Sequence, residues 1–279
     1  MKTSESSFRG VKGYNIFYRL WEPDQAPARA AILLFHGYAE HAGRYLHVAQ
    51  YLTDRGYIIY APDHRNHGRS EGRKGYIERM DYVLDDARTL LQRMQAEQAG
   101  RKIFILGHSM GGLMATCFAI RYQDELAGAV LSGVSLMAGA GVARGARLLG
   151  KLLTVVAPTA GIQELKSEWL CRDPAVCRAY DEDPLNYRGK VMARTGTEML
   201  DAADWALARV SSIRLPLLVM HGGADLLVEP AASRYLYDHA ASADKTLHIF
   251  DGMRHEIYNE YGKEEVLALV AGWLDQRSA

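Results

Sequence analysis

A doubly wound α/β sheet, mostly parallel and interrupted by an inserted helical cap, is the fold this sequence predicts. Short apolar runs without alternation recur at 30–35, 57–61, 102–106, 127–131, 215–220 and 246–250, as expected of strands buried on both faces of a parallel sheet. Helical three- and four-residue spacings separate several of these runs, so strand and helix alternate. From 131 to 215 no convincing strand is legible, an interval far longer than an ordinary connection.

The elements follow in order. Two alternating segments at 5–9 and 14–21, joined by Lys12-Gly13, predict an antiparallel hairpin at the start. Val83, Ala87, Leu90, Leu91 and Met94 mark one face of a helix, with Gly100 just past its end as a cap. A last helix over 263–276 would bury Val266, Leu267, Val270, Trp273 and Leu274. The strandless interval holds small residues, the apolar stretch Leu148, Leu149, Leu152, Leu153, Val155 and Val156, and a polar helix-like tail. The simplest account is a helical cap over the C-terminal edge of the sheet, where such folds bind ligands. Residues 1–132 and 198–279 would then form the core and 133–197 the cap.

Composition narrows the function classes. The 279 residues contain 33 basic and 33 acidic side chains, so no global field draws the chain to nucleic acid or acidic lipid. Recognition is expected in a pocket. Residues 1–10 are polar and lack the apolar stretch of a secretory signal. The uncharged stretch 126–142 is glycine-rich and broken by serines; it reads as a buried strand plus a loop. Cys117, Cys171 and Cys177 are too few and scattered for a disulfide framework and lack zinc-finger spacing. Free thiols and a cytoplasmic location are the default expectation.

The chemistry centres on Gly107-His108-Ser109-Met110-Gly111, placed between a buried strand and a helical pattern. A serine lifted above a sheet on a sharp strand-to-helix turn needs small residues two positions either side. Its hydroxyl is a poor nucleophile unless a base takes the proton and an acid orients the base. Among later histidines, His221 ends a strand ahead of any plausible acid, His239 falls in a helix and His248 in a strand. His255, in a loop after the last strand, is the candidate base. Asp225, in the loop after the 215–220 strand, is the candidate acid, with Asp251 as rival four residues before His255. The backbone N–H groups of Met110 and Tyr38 are the candidate oxyanion donors. His36, His41, His47, His64 and His67 show no zinc-protease spacing; His36 and His67 read as loop-shaping groups beside glycines. No Gly-x-Gly-x-x-Gly follows a strand. Neither metal nor cofactor is expected.

The sequence resembles the monoacylglycerol lipase and lysophospholipase branch of the α/β-hydrolase family. The resemblance rests on the motifs at 36–45 (HGYAEHAGRY), 63–72 (DHRNHGRSEG) and 107–112 (GHSMGG). Asp183-Pro184-Leu185, Gly223-Ala224-Asp225 and His255-Glu256 continue it in order. It implies the α/β-hydrolase fold, a Ser109, Asp225 and His255 triad, an oxyanion hole at Tyr38 and Met110, and an apolar cap admitting one long acyl chain. Leu148, Leu152 and Val156 are the expected substrate contacts. The expected substrate is a small lipid ester, with transient membrane or micelle contact through the cap. One departure is Tyr38, where relatives often carry a small residue, which would narrow the acyl or alcohol site. A general carboxylesterase or lysophospholipase shares this chemistry, and a non-catalytic binding scaffold is the alternative from another class.

Overall fold

The structure, a computed structural model, describes residues 1–24, 28–137 and 144–278. It opens with the hairpin β1 (Lys2–Arg9) and β2 (Asn15–Glu22). Then come β3 (Ala30–Phe35), α1 (Leu46–Thr53), β4 (Tyr57–Pro62), α2 (Met80–Glu97), β5 (Ile103–His108), α3 (Met110–Tyr122) and β6 (Gly128–Ser132). The long interval contains α4 (Arg144–Val156), β7 (Gly161–Gln163), α5 (Pro174–Glu182), β8 (Val191–Met192) and α6 (Ala193–Leu207). The chain closes with β9 (Leu217–Gly222), α7 (Ala231–His239), β10 (Lys245–Phe250) and α8 (Lys263–Ser278).

The main sheet has eight strands among the described residues, in the order β1-β2-β4-β3-β5-β6-β9-β10. Only the β1–β2 and β2–β4 pairs are antiparallel. Every residue of β3, β4, β5, β6 and β9 is buried, which is why these segments read as continuous apolar runs. Their side chains alternate between two cores. Leu33, Phe35 and Ile105 meet α2 and α3 on one face, while Ile32, Leu34 and Phe104 meet α1 and α8 on the other. This is the α/β-hydrolase architecture, a mostly parallel sheet covered by helices on both faces.

Two expectations need correction. The strand expected at 215–220 lies at Leu217–Gly222, because Pro216 has no N–H to give the ladder; its carbonyl accepts the Ala129 N–H at 2.9 Å instead. The interval from 131 to 215 is not strandless: β7 and β8 form a small antiparallel ribbon, too short for periodicity to reveal. Helix α6 runs unbroken through position 197, and its later part packs on α3, where the Cys117 thiol lies 3.8 Å from the Ala202 carbonyl. In the uncharged run, 128–132 is the buried strand β6, whereas 138–142 lies outside the described residues. Among those residues no helix is long and apolar enough to cross a membrane.

Candidate active site

The C-terminal ends of β3, β5, β9 and β10 deliver four loops to one edge of the sheet. Ser109 follows β5 directly, with φ 57° and ψ −119°, a backbone state that costs a non-glycine residue about 1–3 kcal/mol. The turn closes so tightly that a Cβ at Gly111 would stand 2.1 Å from the Phe35 carbonyl oxygen, and one at Gly107 2.4 Å from that of Gly111. The conformation is held by the Ser109 N–H, which donates to Ser132 O at 2.9 Å, and by Leu113 N–H, which donates to Ser109 O at 3.0 Å.

The loop after β10 brings His255 to the serine. Ser109 Oγ lies 2.7 Å from His255 Nε2, and His255 Nδ1 lies 2.7 Å from Asp225 Oδ2. Because an ionised carboxylate only accepts, the proton sits on Nδ1 and leaves Nε2 free to accept the serine hydroxyl. Burial disfavours the charged form of His255, but the Asp225 carboxylate outweighs it and holds the pKa above the ordinary value. Burial works against the Asp225 charge too. The charge and hydrogen bond of His255, together with the bond from His221, prevail and keep the carboxyl well below the usual range. Asp225 Oδ1 accepts the Leu227 and Val228 N–H groups at 2.8 and 3.0 Å.

His221, set aside in the sequence because it precedes the acid, faces Asp225 at 3.0 Å through Nε2 and Ser233 Oγ at 2.7 Å through Nδ1. It is a second imidazole bracing the same carboxylate. No spacing rule signals this: the contact arises because the loop after β9 folds back over the end of its own strand. His108 lies 4.8 Å from the His255 ring, tilted by 51°, and meets Ser132 Oγ at 3.0 Å. Burial, then the neighbouring His255, lowers its pKa to about 3, so it backs the base as an uncharged ring.

The loop after β3 lies against Ser109: a Cβ at Gly37 would stand 2.8 Å from Glu40 Oε1 and 3.4 Å from Ser109 Cβ. Glu40 Oε1 accepts the Gly37 N–H at 2.6 Å and the Tyr45 hydroxyl at 2.8 Å. Arg44 reaches Glu40 at 2.5 Å and grips Glu256 with two bonds of 2.6 and 2.7 Å. Against the effect of burial, Arg44 keeps Glu256 ionised, its carboxyl lowered. Among the described residues, no hydrogen bond occupies the Tyr38 or Met110 backbone N–H, as an oxyanion site requires. The Tyr38 ring stands edge-on to His67 and Tyr187, and its hydroxyl donates to Gly75 O at 2.9 Å. His41 Nε2 lies 2.8 Å from Asp183. Asp251, the rival acid, has no bond to His255 among the described residues; the partner there is Asp225.

Above these groups opens a cavity of about 1290 Å³ whose lining includes Tyr38, Ser109, His255 and Leu148. That is roomy beside a typical ligand site of about 300–1,000 Å³. Leu149 and Leu153 share the lining, while Leu152 and Val156 do not. Both are well exposed, at 58% and 67%, as are Leu148 and Leu149 within the lining, at 69% and 57%. His36, His64 and His67 form a buried cluster of rings. Among the described residues no group of His, Cys, Asp and Glu is placed to hold a metal ion.

The chain is similar to known proteins over nearly its whole length. The family model for serine aminopeptidase, S33, matches residues 26–262. A monoacylglycerol lipase of Mycolicibacterium smegmatis is 38% identical over 97% of this chain and 96% of its own length. The human monoglyceride lipase is 31% identical over 96% of this chain and 89% of its own. The crystal structure of Paleococcus ferrophilus monoacylglycerol lipase superposes with a TM-score of 0.83 at 27% identity, covering 99% of this chain and 100% of that one. With its mostly parallel sheet and its serine turn, the chain belongs to the serine aminopeptidase S33 family of α/β-hydrolases, in the branch of the monoacylglycerol lipases.

Proposed function

We propose that this protein hydrolyses fatty-acid monoesters of glycerol through an acyl-Ser109 intermediate. The observation that carries the reading is the unbroken Asp225–His255–Ser109 chain, with both links at 2.7 Å, opening into a large cavity roofed by apolar α4 residues. Ser109 Oγ attacks the ester carbonyl as His255 Nε2 takes its proton, and the oxyanion rests on the Tyr38 and Met110 N–H groups. Collapse breaks the ester bond, and His255 returns the proton to the departing glycerol oxygen. Water, deprotonated by His255, then attacks the acyl carbon and releases Ser109 with the fatty acid.

The carboxylates beside the serine are already engaged. Glu40 and Glu256 line the cavity, and both are bonded to Arg44, Glu40 also to the Gly37 N–H and the Tyr45 hydroxyl. Neither is free to bind a peptide amino terminus, which suits a neutral alcohol. The outer side of α4 suits contact with a lipid surface: Leu152, Val155 and Val156 are 58%, 79% and 67% exposed, more apolar surface than a solvated helix usually offers. A cytoplasmic compartment agrees with three free thiols, Cys117, Cys171 and Cys177, and rests on that alone.

The test is hydrolysis of glycerol monoesters of increasing acyl length by the wild type and Ser109→Ala. Preference for long chains with a dead variant supports the proposal. Cleavage of short esters alone removes the lipid assignment, and turnover by the variant removes the nucleophile.

A further inference from the structure

Nothing in the hydrolytic cycle above gives a task to His36, which lies fully buried behind the loop that carries Tyr38. Both of its ring nitrogens face backbone groups of fixed polarity. Nδ1 lies 2.7 Å from Gly37 O, which can only accept. Nε2 lies 2.9 Å from the His64 backbone N–H, which can only donate. The ring therefore carries its proton on Nδ1 and none on Nε2, without the ambiguity a hydroxyl partner would leave. His64 returns the contact, its own Nε2 standing 3.1 Å from His36 O, and the two rings overlap at 3.9 Å.

Gly37 O belongs to the same peptide group as the Tyr38 N–H. A trans peptide is planar, with its C=O and N–H pointing to opposite sides. Holding the oxygen toward His36 therefore turns the Tyr38 N–H away from His36, in a loop that lies against the serine: a Cβ at Gly37 would stand 3.4 Å from Ser109 Cβ. Glu40 holds the Gly37 N–H one peptide earlier, so Glu40 fixes the approach of the loop and His36 the rotation of the decisive peptide. We infer that His36, in its neutral Nδ1–H form, is a positioning residue that aims the Tyr38 N–H at the oxyanion. The inference rests on the reading of Ser109 as a nucleophile. An imidazolium would set an Nε2–H against the His64 N–H, donor against donor, and burial together with the adjoining His64 and His67 rings pushes the His36 pKa well below its ordinary value.

Two amide substitutions separate the ring's two contacts. An asparagine ends near the position of Nδ1 and can still donate to Gly37 O; a glutamine ends near Nε2 and can accept from His64 N–H but leaves Gly37 O without its donor. Their kcat and KM are to be measured on a long-chain glycerol monoester and on a p-nitrophenyl ester. His36→Asn should keep a kcat near that of the wild type. His36→Gln should lose about 10²-fold in kcat with KM little changed, the loss typical of one oxyanion donor. Equal activities of the two variants, or a loss appearing in KM, overturn the inference. Should neither variant fold, ¹⁵N NMR of the wild-type imidazoles decides: an Nδ1–H tautomer at neutral pH is expected, and an Nε2–H tautomer or an imidazolium contradicts it. If the wild type cleaves neither ester, the esterase reading falls, while the tautomer measurement still decides the placement of His36.

Discussion

Replacing Asp225 by asparagine changes one atom and should disable the enzyme. Asp225 Oδ1 accepts the Leu227 and Val228 N–H groups, while Oδ2 faces His255 Nδ1 at 2.7 Å and His221 Nε2 at 3.0 Å. The amide oxygen of asparagine must stay with the two backbone donors, so its NH₂ takes the place of Oδ2. An NH₂ there forces His255 to give up its Nδ1 proton and carry one on Nε2, which then confronts the Ser109 hydroxyl as a donor and cannot act as base. This wrong-tautomer defect costs about 10⁴-fold in kcat in a serine triad, or about 5.5 kcal/mol of barrier. The assay is kcat on a long-chain monoester across pH. The acid limb of the wild-type profile should lie above the ordinary histidine value of 6.5, because Asp225 favours the His255 proton against burial. Asp225→Asn should move the residual limb downward. Activity within tenfold of the wild type, or a comparable loss in Asp251→Asn instead, would refute the reasoning.

Arg44→Met leaves Glu40 and Glu256 buried and unpaired, and should cost about 3–5 kcal/mol of stability. The folded-state pKa of those carboxyls would then be raised, so the loss should shrink at acid pH, where both bind protons; urea unfolding at several pH values reads this. Four buried imidazoles predict acid weakening of the wild type. His108 and His64 are lowered to about 3 and His67 to about 4, chiefly by burial, and His36 lies well below its ordinary value. The unfolded chain thus binds more protons once pH falls below about 6.5, and each group can remove about 1.4 kcal/mol per pH unit there. His255, raised, opposes this: its contribution is full below 6.5 and is lost as pH climbs through the folded value. A stability that stays flat from pH 7 to pH 5 in chemical denaturation would contradict the account. On the outer side of α4, Leu152→Ser with Val155→Ser should weaken sedimentation with neutral vesicles while leaving the melting temperature unchanged, since both side chains are mostly exposed; unchanged vesicle binding would count against lipid contact.

Legibility in the sequence followed burial and spacing. The central strands announced themselves because both faces are covered, and the serine turn did so because Gly107 and Gly111 leave no room for a Cβ. Asp225 and His255 could be proposed from their places after β9 and β10 alone. What stayed hidden is how the loops fold and meet. His221 reaches Asp225, four residues on, because the loop after β9 folds back over its own strand, and Arg44 joins Glu40 to Glu256 across 212 positions. Neither the path of a loop nor the meeting of two loops is written in the periodicity. Ribbon β7–β8 was missed for lack of length; of the three contacts expected on α4, Leu148 lines the cavity while Leu152 and Val156 do not, because a stretch apolar on several sides does not say which side is covered. From sequence His36 and His67 read as loop-shaping groups without metal spacing; which contacts do the shaping emerges when each ring nitrogen is matched to a partner.

The central claim is that a fatty acyl group passes through Ser109. Rapid acid quench during turnover of a long-chain glycerol monoester, followed by mass spectrometry of the peptide spanning Ser109, tests it most directly. The account predicts an adduct of the acyl mass on Ser109 that vanishes in Ser109→Ala together with turnover. Turnover with no acyl adduct at Ser109, or turnover that survives Ser109→Ala, would contradict it.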